Sequence, residues 1–195
     1  MPRVVDHAQR RQEIADALWR VLRRDGFAGA SVRTVAAEAG WSTGSIRHYF
    51  SSQNELIAFA MQTLTEQVQE RIAAVAAEVR DVAGVADLLE EVLPMDAQRR
   101  AEAEVWLALS AAARTDDELR GITEESHRGL RQLCRSSVRL VVGEDGGGRD
   151  LVLETDRLHA LVDGLALHGT MHPRLMPRTR IRAALLAHLA ELGAG

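Results

Sequence analysis

The chain has 195 residues, 46% of them apolar and 27% charged, an ordinary globular balance with room for one large domain or two small ones. No run of 18 apolar residues is available to span a membrane, and the first dozen residues lack the apolar stretch of a secretory signal, so a cytoplasmic protein is expected. A single cysteine, Cys134, excludes an internal disulfide and a cysteine-based zinc site.

The formal net charge of −4 is unevenly spread. Residues 1–50 carry eight Arg (Arg3, Arg10, Arg11, Arg20, Arg23, Arg24, Arg33, Arg47) against five acids, a net of +3, which leaves sixteen Arg against 23 acids, or −7, for the remainder. A basic end on an acidic chain points to a local polyanion partner, or to nothing more than uneven surface charge.

Helical periodicity runs through the chain. The first predicted helix covers residues 9–25, where Ile14, Leu18, Val21 and Leu22 recur at helical spacing, and Gly26 ends it. Phe27 is expected to tuck under the next helix, residues 31–39, whose Val32, Val35, Ala36 and Ala39 face inward. Gly40 stands at the position after a helix end where a left-handed backbone is favoured. Trp41 follows, and Ser42 caps a third helix, residues 43–50, which buries Ile46, Tyr49 and Phe50 in part. Ser52 and Glu55 make a capping box for a long fourth helix with the stripe Leu56, Phe59, Ala60, Thr63, Leu64, Val68, Ile72, Val75 and Val79.

Gly84 and Pro94 bracket a short helix, and residues 95–114 form an Ala-rich amphipathic one. Thr115 and Glu118 make a second capping box, opening a helix that reaches Val142. Gly143–Arg149 is a flexible break, and Asp150 caps a helix ending near Met171. Pro173 and Pro177 mark a turn before a last helix over residues 179–192. Period-2 alternation is absent, so the expected class is all-α.

Two short helices joined by a tight glycine turn, after a longer support helix, form a helix-turn-helix pattern. Ala36 must be small where the short helices cross, Gly40 must turn, and Val35, Ile46 and Tyr49 must hold the second short helix to its scaffold. The same spacing also suits a helical hairpin inside an all-α core. Residues 10–64 resemble the DNA-binding domain of the TetR family of transcriptional repressors, through Gly26-Phe27, the stretch from Ser31 to Gly40, the stretch from Ser42 to Phe50, and Leu56. The wording STGSIRHYF, and the stretch from Leu158 to Leu167 in the penultimate helix, are most similar to the BetI-like branch.

The resemblance implies an N-terminal three-helix helix-turn-helix DNA-binding domain over residues 1–52. It also implies a larger helical ligand-binding and dimerisation domain over residues 53–195. The partners implied are palindromic double-stranded DNA, a small-molecule effector and a second copy of the chain, with no membrane partner and no cofactor. The function implied is a repressor released from its operator by a small molecule. A transcriptional activator with the same DNA-binding domain, or a helical small-molecule-binding protein, are the alternatives.

Three positions depart from the family pattern. Arg47 replaces a frequent Tyr, and its guanidinium suits a phosphate. Gln53 replaces a Lys and gives up one ion pair to DNA, and Trp41 is bulkier than the usual aliphatic residue. By position, Thr43 and Gly44 lie at the groove-facing tip of the third helix. Arg33 is the candidate for a bidentate guanine contact. Ser31, Thr34, Ser45, Arg47, His48 and Tyr49 are candidates for phosphates, and Arg10 and Arg11 for further backbone contacts. Arg33 is otherwise a solvated charge, and Tyr49 otherwise a core ring.

One recognition helix reads few base pairs, so specificity requires a dimer. The expected interface is Leu158, Leu161, Val162, Leu165 and Gly169 with Ile181, Leu185, Leu186 and Leu189, forming a two-fold four-helix bundle. Gly164 and Gly169 cost helix propensity and make sense where another helix comes close. The other reading packs these stripes within one chain. The family implies an effector pocket within residues 53–142, with candidates Phe59, Thr63, Trp106, Ser110, Ser126, Leu130 and Cys134; each also reads as plain core. Choline needs an aromatic cage, and beyond residue 55 only Phe59 and Trp106 are aromatic, so an apolar or amphipathic molecule fits better.

His168 and His172 share a helix face, with Asp163 or Cys134 as a conceivable third ligand, but no metal motif is completed and no metal is expected. No nucleophile elbow or phosphate-cradling loop is present, and an enzyme is not expected.

Overall fold

Gly26 adopts φ 71° and ψ −179°, a conformation open to glycine and few others, and kinks the first helix near its end. The computed structural model describes residues 7–194, except for the side chains of residues 8, 27, 28 and 147. The expected tuck of the Phe27 side chain therefore lies outside the described residues.

Among them are nine α-helices and no strand: α1 (His7–Gly29), α2 (Val32–Ala39), α3 (Thr43–Tyr49), α4 (Gln53–Ala76), α5 (Val82–Glu90), α6 (Ala97–Ala112), α7 (Asp117–Val142), α8 (Leu151–Met171) and α9 (Arg178–Gly193). Gly143–Arg149 holds one 3-10 turn, Gly146–Gly148. The all-α expectation is met.

Three helix starts are built differently from the expectation. At α7 the capping group is Asp116, whose Oδ1 accepts from Glu118 N and Leu119 N, while the Thr115 hydroxyl donates back to Ala112 O. A carboxylate is the stronger acceptor for the bare N–H groups of a helix start, so it displaces the neighbouring hydroxyl. Gly84 lies inside the first turn of α5, behind the cap made by Asp81 Oδ1 on Gly84 N at 2.8 Å. At α4 only half of the capping box forms. Ser52 Oγ accepts from Glu55 N, but the Glu55 carboxylate turns to Ser51 N and Oγ.

The chain divides into two compact units, residues 1–66 with 108–123, and residues 67–107 with 124–195. The first is larger than the residues 1–52 expected for a DNA-binding domain. The head of α4 packs there through Leu56, Ile57, Ala60, Met61 and Leu64. Trp19 Nε1 donates to Ala60 O at 3.3 Å, and Asn54 donates to the carboxylates of Asp116 and Glu118. Its core includes Ile14, Leu18, Val21, Val35, Ala36, Ile46 and Phe50, all nearly inaccessible to solvent.

The core of the second unit is Val85, Ala86, Leu89, Leu93, Cys134, Val138, Leu158, Val162, Leu165, Ile181, Leu185, Leu189 and Leu192. Most of the expected dimer stripe lies within this core. Leu158, Val162, Leu165, Ile181, Leu185 and Leu189 are spent inside one chain, where α8 meets α9 and α5 meets α9, with Leu161 and Leu186 packed partly buried against them. An apolar face can be buried only once, and here the chain's own helices take it. A Cβ on Gly169 would lie 2.7 Å from Ile181 Cδ1 and 2.8 Å from Pro94 Cγ, so the close approach served by this glycine is internal.

We expect Gly169→Ala to cost about 1–2 kcal/mol, since overpacking against a rigid proline ring outweighs the gain in helix propensity. Thermal unfolding checks it; an unchanged or raised midpoint would show that α9 yields freely.

Ion pairs tie the second unit's helices together. Arg71 of α4 bonds Glu91 at 3.0 Å and Glu102 of α6 at 2.8 Å, and Arg99 reaches Glu91 at 2.8 Å. Arg182 of α9 pairs with Asp87 and Glu90. α4 itself begins in the first unit and ends in the second.

Candidate nucleic-acid interface

The start of α2 is set by a reciprocal pair. Ser31 Oγ accepts from Thr34 N at 3.2 Å, and Thr34 Oγ1 accepts from Ser31 N at 2.8 Å. Both hydroxyls expected at phosphates are therefore already engaged with the local backbone, Thr34 also facing Gly29 O at 2.8 Å. α2 ends at Gly40, φ 71°, with Trp41 N donating to Ala36 O and Gly40 N to Ala37 O, the paired bonds of a Schellman turn. A few residues on, Ser42 Oγ accepts from Ser45 N at 3.0 Å and starts α3. Val35, Ala36 and Ile46 are buried where α1, α2 and α3 meet, the three-helix packing the spacing predicted.

Thr43 and Gly44 are exposed at the tip of α3, and no atom lies closer than 3.7 Å to where a Gly44 Cβ would sit. Ser45 is half-buried under its bond to Ser42, and Arg33, Arg47 and His48 are exposed. Tyr49 serves as a brace. Its ring stacks edge-on against Trp41 at 5.6 Å and His48 at 5.3 Å, and meets His7 of α1 at 5.4 Å. Trp41 fills space an aliphatic residue would leave, and the Arg10 guanidinium lies 5.0 Å above its ring while bonding Glu13 at 2.9 Å.

The arginines of this unit divide into two groups. Arg11 lies over Phe50 and Phe59, 4.5 and 4.7 Å from their centroids, and donates to Tyr49 O. It staples α1 to α3 and α4 within the chain. Arg20 and Arg24 both bind Glu38, at 2.8 and 2.7 Å. Hydrogen bonds from Arg20 and then Arg24 hold the Glu38 carboxyl below the usual carboxylate range. Arg33 and Arg47 make no ion pair or side-chain hydrogen bond among the described residues, and Arg23 of α1 is the third such side chain in residues 7–50. The internal pairs thus absorb much of the positive charge of α1 and leave bare guanidiniums on the two helices of the motif.

Gln53 has a use the sequence did not disclose: its Nε2 donates to Ala30 O at 2.5 Å, tying the start of α4 to the chain ahead of α2. The expected effector-lining residues divide between the units. Phe59, Thr63 and Ser110 belong to the first, and Trp106, Ser126, Leu130 and Cys134 to the second. Phe59 packs on Phe50 at 5.5 Å, Thr63 bonds Phe59 O, and Ser110 Oγ is buried without a hydrogen-bond partner among the described residues. Trp106 and Leu130 are half-buried. Cys134 is fully buried, and burial pushes its thiol up to about 12. His168 and His172 have ring centroids 6.4 Å apart, and no group of three metal-ligating side chains is arranged to hold an ion among the described residues. No helix is long and apolar enough to cross a membrane, among the same residues.

Comparison with known proteins agrees with this geometry. Residues 14–59 match the bacterial regulatory proteins of the tetR family, and residues 81–194 match the C-terminal region of BetI-type transcriptional repressors. The HTH-type transcriptional regulator PksA of Bacillus subtilis is 39% identical over 98% of this chain and 94% of its own. BetI of Escherichia coli is 29% identical, with 92% of each chain covered. Among solved structures, a transcriptional regulator from Rhodococcus superposes with a TM-score of 0.82 at 30% identity, covering 93% of this chain and 95% of its own. A regulator from Saccharomonospora viridis, in complex with choline, superposes at 0.83 with 22% identity, 94% of this chain and 96% of its own. The chain therefore belongs to the TetR family of transcriptional regulators, which are not enzymes, and its C-terminal region is of the BetI type.

Proposed function

We propose that this regulator is a cytoplasmic homodimeric repressor that holds a palindromic double-stranded operator and leaves it when a small-molecule effector binds. The observation that carries the reading is the pair of unpartnered guanidiniums, Arg33 on α2 and Arg47 on α3, in a motif whose α3 tip, Thr43-Gly44, is exposed. Arg33 is assigned to a guanine edge, and Arg47, Ser45, His48 and the Tyr49 hydroxyl to phosphates. Ser31 and Thr34 add at most their cap's backbone.

The second copy is placed on the outward face of α8. Leu153, Ala160, Gly164, Leu167 and Met171 recur there at helical spacing, Leu153, Leu167 and Met171 are well exposed, and nothing lies within 4 Å of a Cβ built on Gly164. Four of the expected effector contacts, Trp106, Ser126, Leu130 and Cys134, belong to the second unit, and the effector is placed there. Trp106 is the only Trp, Tyr or Phe in that unit, too few for the cage a quaternary ammonium needs, so choline is not the expected effector. Because α4 belongs to both units, a tilt of α4 on effector binding would change the spacing of the two recognition helices. They would then miss successive major grooves about 34–36 Å apart. The coupling is reciprocal, so operator DNA weakens effector binding by the same factor.

A gel shift on the DNA upstream of its own gene, run beside unrelated DNA at two salt concentrations, tests the reading. A specific complex that weakens steeply with salt is expected, each phosphate contact adding about 0.9 to the logarithmic slope. Equal binding to both DNAs, or none, would leave a helical small-molecule-binding protein. A specific complex that raises transcription would make the chain an activator.

A further inference from the structure

Within residues 124–195, α7 and α8 bring together three titratable side chains that DNA binding leaves without a task. His159 of α8 is only 5% exposed, and its Nε2 has no hydrogen-bond partner among the described residues. One turn further, Asp163 Oδ2 lies 3.6 Å from that nitrogen, too far for a hydrogen bond. His127 of α7 flanks them, its ring centroid 4.5 Å from that of His159, and is itself exposed, so the cluster opens to solvent on its side. Polar atoms at the depth of His159 Nε2 nearly always have a partner, because leaving one unmet is costly.

The electrostatics say what kind of partner is missing. Arg131, the neighbouring cation on α7, is paired with Asp156 at 2.8 Å, and no arginine within salt-bridge distance neutralises Asp163 among the described residues. Burial pushes the Asp163 carboxyl above its ordinary value and the His159 imidazole below its own. A neutral imidazole offers a lone pair on one nitrogen, and a half-buried carboxylate calls for a cation that can donate hydrogen bonds. A metal ion is the weaker match, since no three ligating groups are arranged to hold one among the described residues.

We propose that this cluster binds a small protonated amine, one N–H donating to Asp163 Oδ2 and another to His159 Nε2, with its carbon skeleton against the exposed His127 ring. The two acceptors are close enough to be bridged by two N–H groups of a single ammonium. The inference rests on the repressor reading only in making the amine the anchoring group of the effector. It sets a selectivity rule: the nitrogen must carry hydrogens, so quaternary ammonium ions are refused.

The test is calorimetric titration of the full chain, without DNA, using hexylammonium as the probe and hexan-1-ol and tetramethylammonium as controls. NMR of the histidine ring protons follows in parallel. Saturable binding of hexylammonium is expected, at least tenfold tighter than either control, with the His159 and His127 resonances shifting together. Asp163→Asn should weaken it at least tenfold while leaving the melting temperature unchanged or higher, because an uncompensated carboxylate is removed. His159→Phe provides a second variant that fills the same space without the acceptor, and it should lose the selectivity over hexan-1-ol. Three results would overturn the proposal: hexylammonium binding no tighter than hexan-1-ol, unchanged binding in Asp163→Asn, or binding of Zn²⁺ alone that Asp163→Asn abolishes while the amine is ignored. With DNA absent, failure here leaves the operator reading standing, and failure of operator binding leaves the amine site standing.

Discussion

Ile46→Ala should cost about 2–5 kcal/mol and abolish operator binding well before the second unit loses its structure. Ile46 is fully buried, and it is the one buried side chain of α3, a helix of seven residues. So short a helix has no independent stability; its geometry comes from packing against α1 and α2. Removing three carbons at that contact leaves a cavity beside Val35 and Ala36, which cannot move inward to fill it without shifting the Gly40 turn. Hydrogen exchange localises the effect: amides of α1–α3 should lose protection, while those of α8 and α9 keep theirs. Uniform loss of protection would mean that the two units unfold as one.

Arg33→Ala should weaken operator binding by about 1–3 kcal/mol, roughly 5- to 150-fold, and relax base preference at one position in each half-site. No cost to folding is expected, since Arg33 is exposed and has no ion pair or hydrogen bond to lose. The comparison with Arg47→Ala separates base from backbone contact. Arg47→Ala should weaken binding to every sequence alike and lower the salt slope by about one. If Arg33→Ala instead behaves like Arg47→Ala, then Arg33 touches phosphate. Substitution of Arg20 or Arg24, both locked to Glu38, should barely alter operator binding.

Features set by short-range rules were readable from the sequence alone. Gly40 was expected left-handed because it follows a helix end, Ser42 and Asp150 because a hydroxyl or carboxylate before an apolar run caps it. The buried set Val35, Ala36 and Ile46 followed from helical spacing. Competition between neighbours was harder to read: Thr115 and Asp116 can each cap α7, and only their relative acceptor strength decides. Long side chains were harder still. Arg11 and Gln53 sit where a protein–DNA contact would be drawn, yet Arg11 reaches Tyr49 O and Gln53 reaches Ala30 O, partners 38 and 23 residues distant.

The faces of α8 are the least legible in the sequence, and the cause is physical. Apolar residues ring much of that helix, with Leu158, Val162 and Leu165 on one side and Leu153, Leu167 and Met171 on the other. Periodicity shows that both stripes exist. It cannot tell which one the chain buries against its own α9 and which remains outside. The His127, His159 and Asp163 cluster was equally hidden, because two helices must pair before the residues meet.

Sedimentation equilibrium of the protein alone and on its footprinted DNA addresses the dimeric repressor most directly. Two chains in solution, two chains per DNA site, and a protected inverted repeat with half-sites about one helical turn apart are predicted. A single chain in both states, or protection without an inverted repeat, would contradict it.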